Sequence, residues 1–216
     1  MLPNPSAVLF DFDGVIVDSK ETHRQAWRSA ALEFWGTDSG TYPPELSGQS
    51  PRLIAEYFSK LNKDLSNTEA YMNLKTEHVL KLRPPAPLLP GVRKIFQFLQ
   101  KQNIPFGIAS NAPQAFVANT IKLHGLHVPI MLGMENYQHA KPAPEPYFLL
   151  ARMLDIDPTT FDTTFIFEDS KTGLQAATAT GMRVVGLTTA YDGKTLKEFG
   201  AEFTMKNLAE AVRDWR

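Results

Sequence analysis

The chain has 216 residues, 43% hydrophobic and 21% charged, which suits a globular protein with one large domain or a core carrying a smaller insertion. Its formal net charge of -1 gives no electrostatic case for binding nucleic acid or an anionic membrane. Cysteine is absent, which excludes thiol catalysis, disulfides and cysteine-ligated zinc or iron–sulfur sites. Met1-Leu2-Pro3-Asn4-Pro5 lacks a basic n-region and the apolar run after it is broken by Asp11, so no signal peptide is expected. No uninterrupted apolar stretch approaches the ~20 residues that span a bilayer. The expectation is a cytoplasmic monomer with no nucleic-acid or membrane partner.

Residues 7–10, Ala-Val-Leu-Phe, read as a fully buried strand, because they are all apolar and have no alternating polar face. The strand runs into Asp11-Phe12-Asp13-Gly14. Carboxylates two apart project from one face of an extended chain. Held that close they repel, and a metal cation is the usual remedy. Gly14 lets the chain leave the strand in a conformation most residues avoid.

Residues 19–35 read as a helix, with Ser19 as N-cap, Glu21 in the first turn, and Ala26, Ala30 and Phe34 at intervals of four. Gly36 closes it. A loop holding Gly40, Pro43, Pro44 and Gly48 precedes a second helix, 51–61, where Pro51 suits the first helical position. A third helix covers 68–82. Four prolines among the seven residues of 84–90 then rule out continued helix. Residues 18–85 are thus expected to be a helical cap inserted into a core made of 1–17 and 86–216.

From Gly91 the pattern alternates. Helices are expected at 92–102, 113–124, 144–154, 173–180 and 207–215, and strands at 104–110, 129–132, 164–169 and 183–187. Short strands alternating with helices mean an α/β fold, a Rossmann-like parallel sheet covered on both faces.

Ligands of such sheets bind beyond the carboxyl ends of the strands. The first strand delivers Asp11 and Asp13 there, the second Ser110 and Asn111, and the fourth Glu168 and Asp169. The loop after the third delivers Lys141. The acids suit Mg²⁺, a hard cation that prefers oxygen ligands. Ser110, Lys141 and the backbone N–H groups at helix starts suit a phosphate. Phosphoryl transfer needs little beyond positioning and charge neutralisation, and this set offers both.

Asp11-Phe-Asp13-Gly-Val15, Ile108-Ala-Ser110-Asn111, Lys141-Pro-Ala-Pro and Phe167-Glu168-Asp169-Ser170-Lys-Thr-Gly173 resemble the four ordered motifs of the haloacid dehalogenase (HAD) superfamily. The helical segment after the first motif is similar to the small cap of its phosphoglycolate phosphatase and beta-phosphoglucomutase branch. The resemblance implies a HAD-like core and a Mg²⁺-dependent phosphatase acting through an aspartyl phosphate on a small phosphorylated metabolite. It makes Asp11 the nucleophile and Asp13 the general acid and base. Lys141 would bridge nucleophile and phosphate, with Ser170 orienting it. Asp11, Asp13, Glu168 and Asp169 would hold the metal, Asp13 by its backbone carbonyl. Ser110 and the Asn111 N–H would hold phosphate oxygens. The expected substrate contacts are Gly14, His23, Ser110, Asn111 and Arg52.

Blander readings stand beside these. A strand-end aspartate can be a turn former, and Ser110 alone can be a solvated turn serine. Glu168 can support the site without touching the metal. His23 can be a surface or capping histidine, although Asp18-Ser19-Lys-Glu-Thr-His23 is similar to the hinge and first cap helix of beta-phosphoglucomutase. Arg52 and Lys75 are cap cations that could reach a substrate, although solvated helix faces explain such residues more often. His124, His127 and His139 show no metal-ligand spacing.

A phosphorelay receiver also has a strand-end Asp, an acidic pair and a Lys. Its phosphoacceptor, however, lies mid-chain, and it has no helical insertion. The mutase branch carries a cap arginine three residues after a glycine. Here Gly48-Gln-Ser-Pro51-Arg52 puts the arginine one residue later, a turn of about 100° on a helix. That favours a hydrolase. A mutase, or a non-catalytic HAD-like binding protein, is the alternative. A phosphonate hydrolase would need a cap lysine as Schiff-base amine, and Lys20 is badly placed for it.

Overall fold

The structure is a computed structural model that describes residues 2–38, 43, 46 and 49–215. Gly40, Pro44 and Gly48 of the expected loop lie outside the described residues. The elements in chain order are β1 (Ala7–Phe10), α1 (Lys20–Trp35), α2 (Pro51–Leu61), α3 (Thr68–Lys81), α4 (Val92–Lys101), β2 (Phe106–Ala109), α5 (Gln114–Leu123) and β3 (Ile130–Leu132). They continue with α6 (Glu145–Met153), β4 (Thr164–Glu168), α7 (Lys171–Thr178), β5 (Arg183–Leu187), α8 (Gly193–Glu198), β6 (Phe203–Met205) and α9 (Leu208–Asp214).

The six strands form one parallel sheet in the order β3-β2-β1-β4-β5-β6. β1 lies inside it, with Phe10 opposite Ile108 on one side and Phe167 on the other. All four β1 residues are buried, as are those of β2 and β4, which is why these strands read as unbroken apolar runs. One face is filled by a cluster containing Phe10, Phe96 and Phe167, and the other by Leu9, Leu150, Ile166 and Leu174. Burying each such side chain contributes roughly 1.5–3 kcal/mol. The strand order reverses between β1 and β4, the switch point where ligands of open α/β sheets bind.

Helices α1, α2 and α3 pack around Trp27, Phe58 and Tyr71, a third cluster separate from the two that cover the sheet. Two linkers join this helical body to the sheet, and they run side by side. Val17 and Leu88 form an antiparallel bridge. The Asp18 N–H donates to Pro87 O and the Leu89 N–H to Ile16 O, both at 2.9 Å.

The sequence-based boundaries fall within two residues of most elements, with three informative differences. Ser19 precedes α1 as expected, but its hydroxyl makes no capping bond and instead donates to Asp13. The helix expected from residue 173 starts at Lys171, since the Ser170 hydroxyl accepts from the Gly173 N–H and caps it there. α8 and β6 were without a sequence signal. They are only six and three residues long, and β6 is a partly exposed edge strand.

Candidate active site

Asp11 follows β1 directly and is 7% exposed. Its N–H still donates to Phe167 O at 2.9 Å, so the sheet ladder sets its position. Its Oδ1 accepts from Lys141 Nζ at 2.6 Å. Burial, then the neighbouring Glu168 charge, pushes the Asp11 carboxyl well above the usual range, and Lys141 only partly offsets this. Asp169, beyond β4, is pushed up to about 7 by burial and by Glu168. The Thr189 hydroxyl lies 3.0 Å from Asp169 Oδ2 and 2.7 Å from Gly14 O. Gly14 has φ 79°, and a Cβ there would overlap the Asp169 carboxylate. Glycine therefore meets both the backbone conformation and the close approach.

Asp11, Glu168 and Asp169 are all buried, and their ligand atoms lie within 4.8 Å of one another. Asp11 and Glu168 share the Lys141 ammonium, which does not reach Asp169 within ion-pair distance. Burial first, and the Glu168 charge after it, raise both the Asp11 and the Asp169 carboxyls. A hard divalent cation fits this all-oxygen donor set.

Glu168 is fully buried and both of its oxygens are engaged. Oε1 accepts from Lys141 Nζ and from the Tyr147 hydroxyl, each at 2.6 Å. Oε2 takes the Asp169 N–H at 3.1 Å and the Ser170 hydroxyl at 3.3 Å. Ser170 thus reaches Lys141 through Glu168. The partners that hold the lysine are Asp11, Glu168 and Tyr147. Burial would push the Lys141 ammonium down, but the Asp11 and Glu168 charges outweigh it and hold it far above the usual lysine range.

Asp13 faces a different set of partners. Its Oδ1 accepts from the Ser19 hydroxyl and lies 3.0 Å from His23 Nε2. Both partners come from the start of α1. His23 Nδ1 in turn lies 3.1 Å from Lys75 Nζ on α3. Burial alone would raise the Asp13 carboxyl, but His23, Ser19 and Lys75 hold it below the ordinary range. Burial, then Lys75, lowers His23 against the pull of Asp13. Lys75 is 2% exposed, and burial brings its ammonium down to about 8. This corrects the reading of Lys75 as a solvated residue: it sits four residues after Tyr71 and four before Val79, in the buried stripe of α3.

Ser110 and Asn111 stand at the end of β2. The Ser110 hydroxyl accepts from the Ala112 N–H at 3.0 Å and lies 3.5 Å from Asp13 Oδ2. The Asn111 side chain bridges to the backbone of Lys141, at 3.1 Å to its N and 3.3 Å to its O. The Tyr137 hydroxyl donates to Ser110 O at 2.5 Å, so the two loops are tied together.

One pocket is bordered by Asp11, Asp13, Gly14, Ser110, Lys141 and Asp169 on the sheet side. Asn111 also lines it, and His23, Trp27, Ile54 and Lys75 form the helical side. Glu168 lies beneath it. Arg52 is not brought there. Its side chain is 69% exposed, pairs with Glu56 at 3.2 Å and borders a separate surface groove. Sequence reasoning missed Tyr147, Tyr137 and Thr189. For Tyr147 a signal exists: the prolines after Lys141 set the start of α6, which puts Tyr147 in its first turn.

The family model for haloacid dehalogenase-like hydrolases matches residues 8–187, and the chain belongs to that family. It is 29% identical over 208 residues to the phosphorylated carbohydrates phosphatase of Thermotoga maritima, covering 93% of this chain and 94% of that protein. It is 28% identical over 217 residues to the beta-phosphoglucomutase of Bacillus subtilis, covering 94% and 90%. The crystal structure of a hydrolase from Pseudomonas syringae superposes with a TM-score of 0.80 at 20% identity over 96% of each chain, a likeness of fold alone.

Proposed function

We propose that this chain is a Mg²⁺-dependent phosphomonoester hydrolase acting on a small phosphorylated metabolite through an aspartyl phosphate. The observation that carries this is the Asp11 carboxylate on the pocket wall, held by Lys141 at 2.6 Å, with Asp13 lining the same pocket. In the first step Asp11 attacks phosphorus and the phosphate–oxygen bond to the alcohol breaks. Asp13 protonates the departing oxygen. In the second step water attacks the phosphoryl group, Asp13 takes a proton from it, and phosphate leaves with Asp11 restored. Asp11 and Asp169, with Glu168 beside them, would hold Mg²⁺, which screens the repulsion between an anionic nucleophile and an anionic phosphate when bound.

Asp13 is ionised while Ser19 and His23 hold it, the state required for the second step. A proton for the first step has a route: the Lys75 ammonium gives one to His23 Nδ1 as His23 passes its Nε2 proton to Asp13, leaving a neutral amine and a neutral imidazole. Residues 18–85 act in this reading as a cap. They bring Ser19 and His23 to Asp13 and close the pocket with Trp27 and Ile54.

The mutase alternative needs a cation for a second phosphate. Arg52 points into its own groove, and Lys75 is already committed to His23. The likeness to a phosphorylated carbohydrates phosphatase supports a sugar phosphate as substrate.

The test is phosphate release from a panel of small phosphate esters with Mg²⁺ and with EDTA, including beta-glucose 1-phosphate with a parallel assay for glucose 6-phosphate. Release that needs Mg²⁺, and that Asp11→Asn abolishes without loss of fold, is the expected result. Isomer formation with little phosphate moves the protein to the mutases. An active Asp11→Asn variant overturns the nucleophile.

A further inference from the structure

Lys141 has three ammonium protons, and each meets a protein acceptor: Asp11 Oδ1 at 2.6 Å, Glu168 Oε1 at 2.6 Å and the Tyr147 hydroxyl oxygen at 2.8 Å. The hydroxyl has a single proton, and Tyr147 gives it to Glu168 Oε1 at 2.6 Å. Lys141, Tyr147 and Glu168 therefore close a ring of three hydrogen bonds beneath the nucleophile. The aromatic ring adds a fourth contact, with Nζ 4.6 Å from its centroid. Tyr147 is fully buried and does not line the pocket.

Lys141 stands between two carboxylates at equal distance, and Asp11 is the more open of the two. By charge alone the buried Glu168 competes with the nucleophile for the ammonium. The Tyr147 hydroxyl acts on that competition twice. It occupies the same Glu168 oxygen that Lys141 uses, so part of that oxygen's accepting capacity goes to a neutral donor. It also accepts the third ammonium proton, which stops rotation about the Cε–Nζ bond and leaves one proton aimed at Asp11.

We propose that Tyr147 is a positioning residue, whose hydroxyl keeps Lys141 on the nucleophile Asp11 and prevents Glu168 from drawing it away. The kinetic part rests on the reading of Asp11 as nucleophile; the geometric part does not.

Tyr147→Phe keeps the ring, its packing and the ammonium–ring contact, and removes only the hydroxyl. A kcat lowered about tenfold with KM within about twofold is expected, since a misplaced charged group weakens the transition state more than binding. A pure packing role predicts instead that Phe equals the parent protein; a kcat within about twofold of the parent overturns the proposal.

The second measurement needs no turnover. In 15N-labelled protein the Lys141 ammonium, fixed by three acceptors, gives a resolved 1H–15N signal. Tyr147→Phe broadens or removes it while the backbone amide spectrum persists. An unchanged signal overturns the proposal. A third needs no variant: the Tyr147 hydroxyl proton, donated to a buried carboxylate, gives a downfield resonance slow to exchange, and its absence is equally decisive. If the parent protein releases no phosphate yet these signals behave as described, the hydrolase reading fails and the positioning role stands.

Discussion

Lys75 is a lysine with a buried amine, facing His23 at 3.1 Å and the Trp27 ring at 5.1 Å. Its ammonium is brought down to about 8 from an ordinary 10.5, so the folded protein gives up this proton more readily than the unfolded chain does. Below pH 8 both states carry the charge, and its burial weighs on stability in full. Between about pH 8 and 10.5 only the unfolded chain remains charged, so stability rises with pH over that window. Lys75→Met removes the whole dependence. Its stability relative to the parent protein should fall between pH 7 and pH 10.5, by on the order of 3 kcal/mol, and urea unfolding at the two pH values measures the change. An offset that stays constant with pH contradicts the buried amine. Lys75 was hard to read because α3 carries charges along its length, and only its spacing from Tyr71 and Val79 marks it as inward. Asp11, Asp13, Lys141 and Asp169 were easier, because every strand of a parallel sheet ends on the same rim. Arg52 fails for the opposite reason: one position along α2 separates the pocket-lining Pro51 from solvent.

Among the elements, the start of α7 is where backbone and site are most tightly joined. Gly173 lies in the first turn, and a Cβ there would overlap the Glu168 carboxylate. Alanine normally gains about 0.5–1 kcal/mol over glycine in a helix. Here that gain is outweighed, because Glu168 is held by Lys141, Tyr147 and the Asp169 N–H and has no room to swing aside. Gly173→Ala should therefore lose roughly 1–3 kcal/mol in denaturant unfolding, the usual range for overpacking, and lose activity with it. Parent-like stability and activity together would show that Glu168 can yield. Strands buried on both faces were legible because their runs are wholly apolar, and the helices because prolines and N-cap residues mark their starts. α8 and β6 are held by tertiary contacts and carry too few residues for a period to show.

For the molecule as a whole, the balance of charge at the rim links metal, proton and stability. Asp169 is pushed up to about 7, so the folded protein without metal keeps this proton where the unfolded chain has lost it. A raised carboxyl contributes stability below its unfolded value near 4, and that contribution is lost as pH rises through 7. On the reading of Asp169 as a metal ligand, a proton offsets its charge at pH 5 and a bound cation does so at pH 8. Adding Mg²⁺ should therefore raise Tm more at pH 8 than at pH 5, and an equal or reversed difference by scanning calorimetry would remove Asp169 from the metal site. The order of the sheet strands has a further consequence, in time. β1 is synthesised before either of its neighbours, for Val8 pairs with Phe106 on one side and Phe165 on the other. At about 5–20 residues per second, roughly 8–30 s of translation separate β1 from its second neighbour. Until β2 follows, this fully apolar strand has both edges open, and one edge stays open until β4 is made, a state that invites chaperone capture or mispairing. Asp11 reaches its place beside Lys141 and Asp169 only when most of the chain has been made.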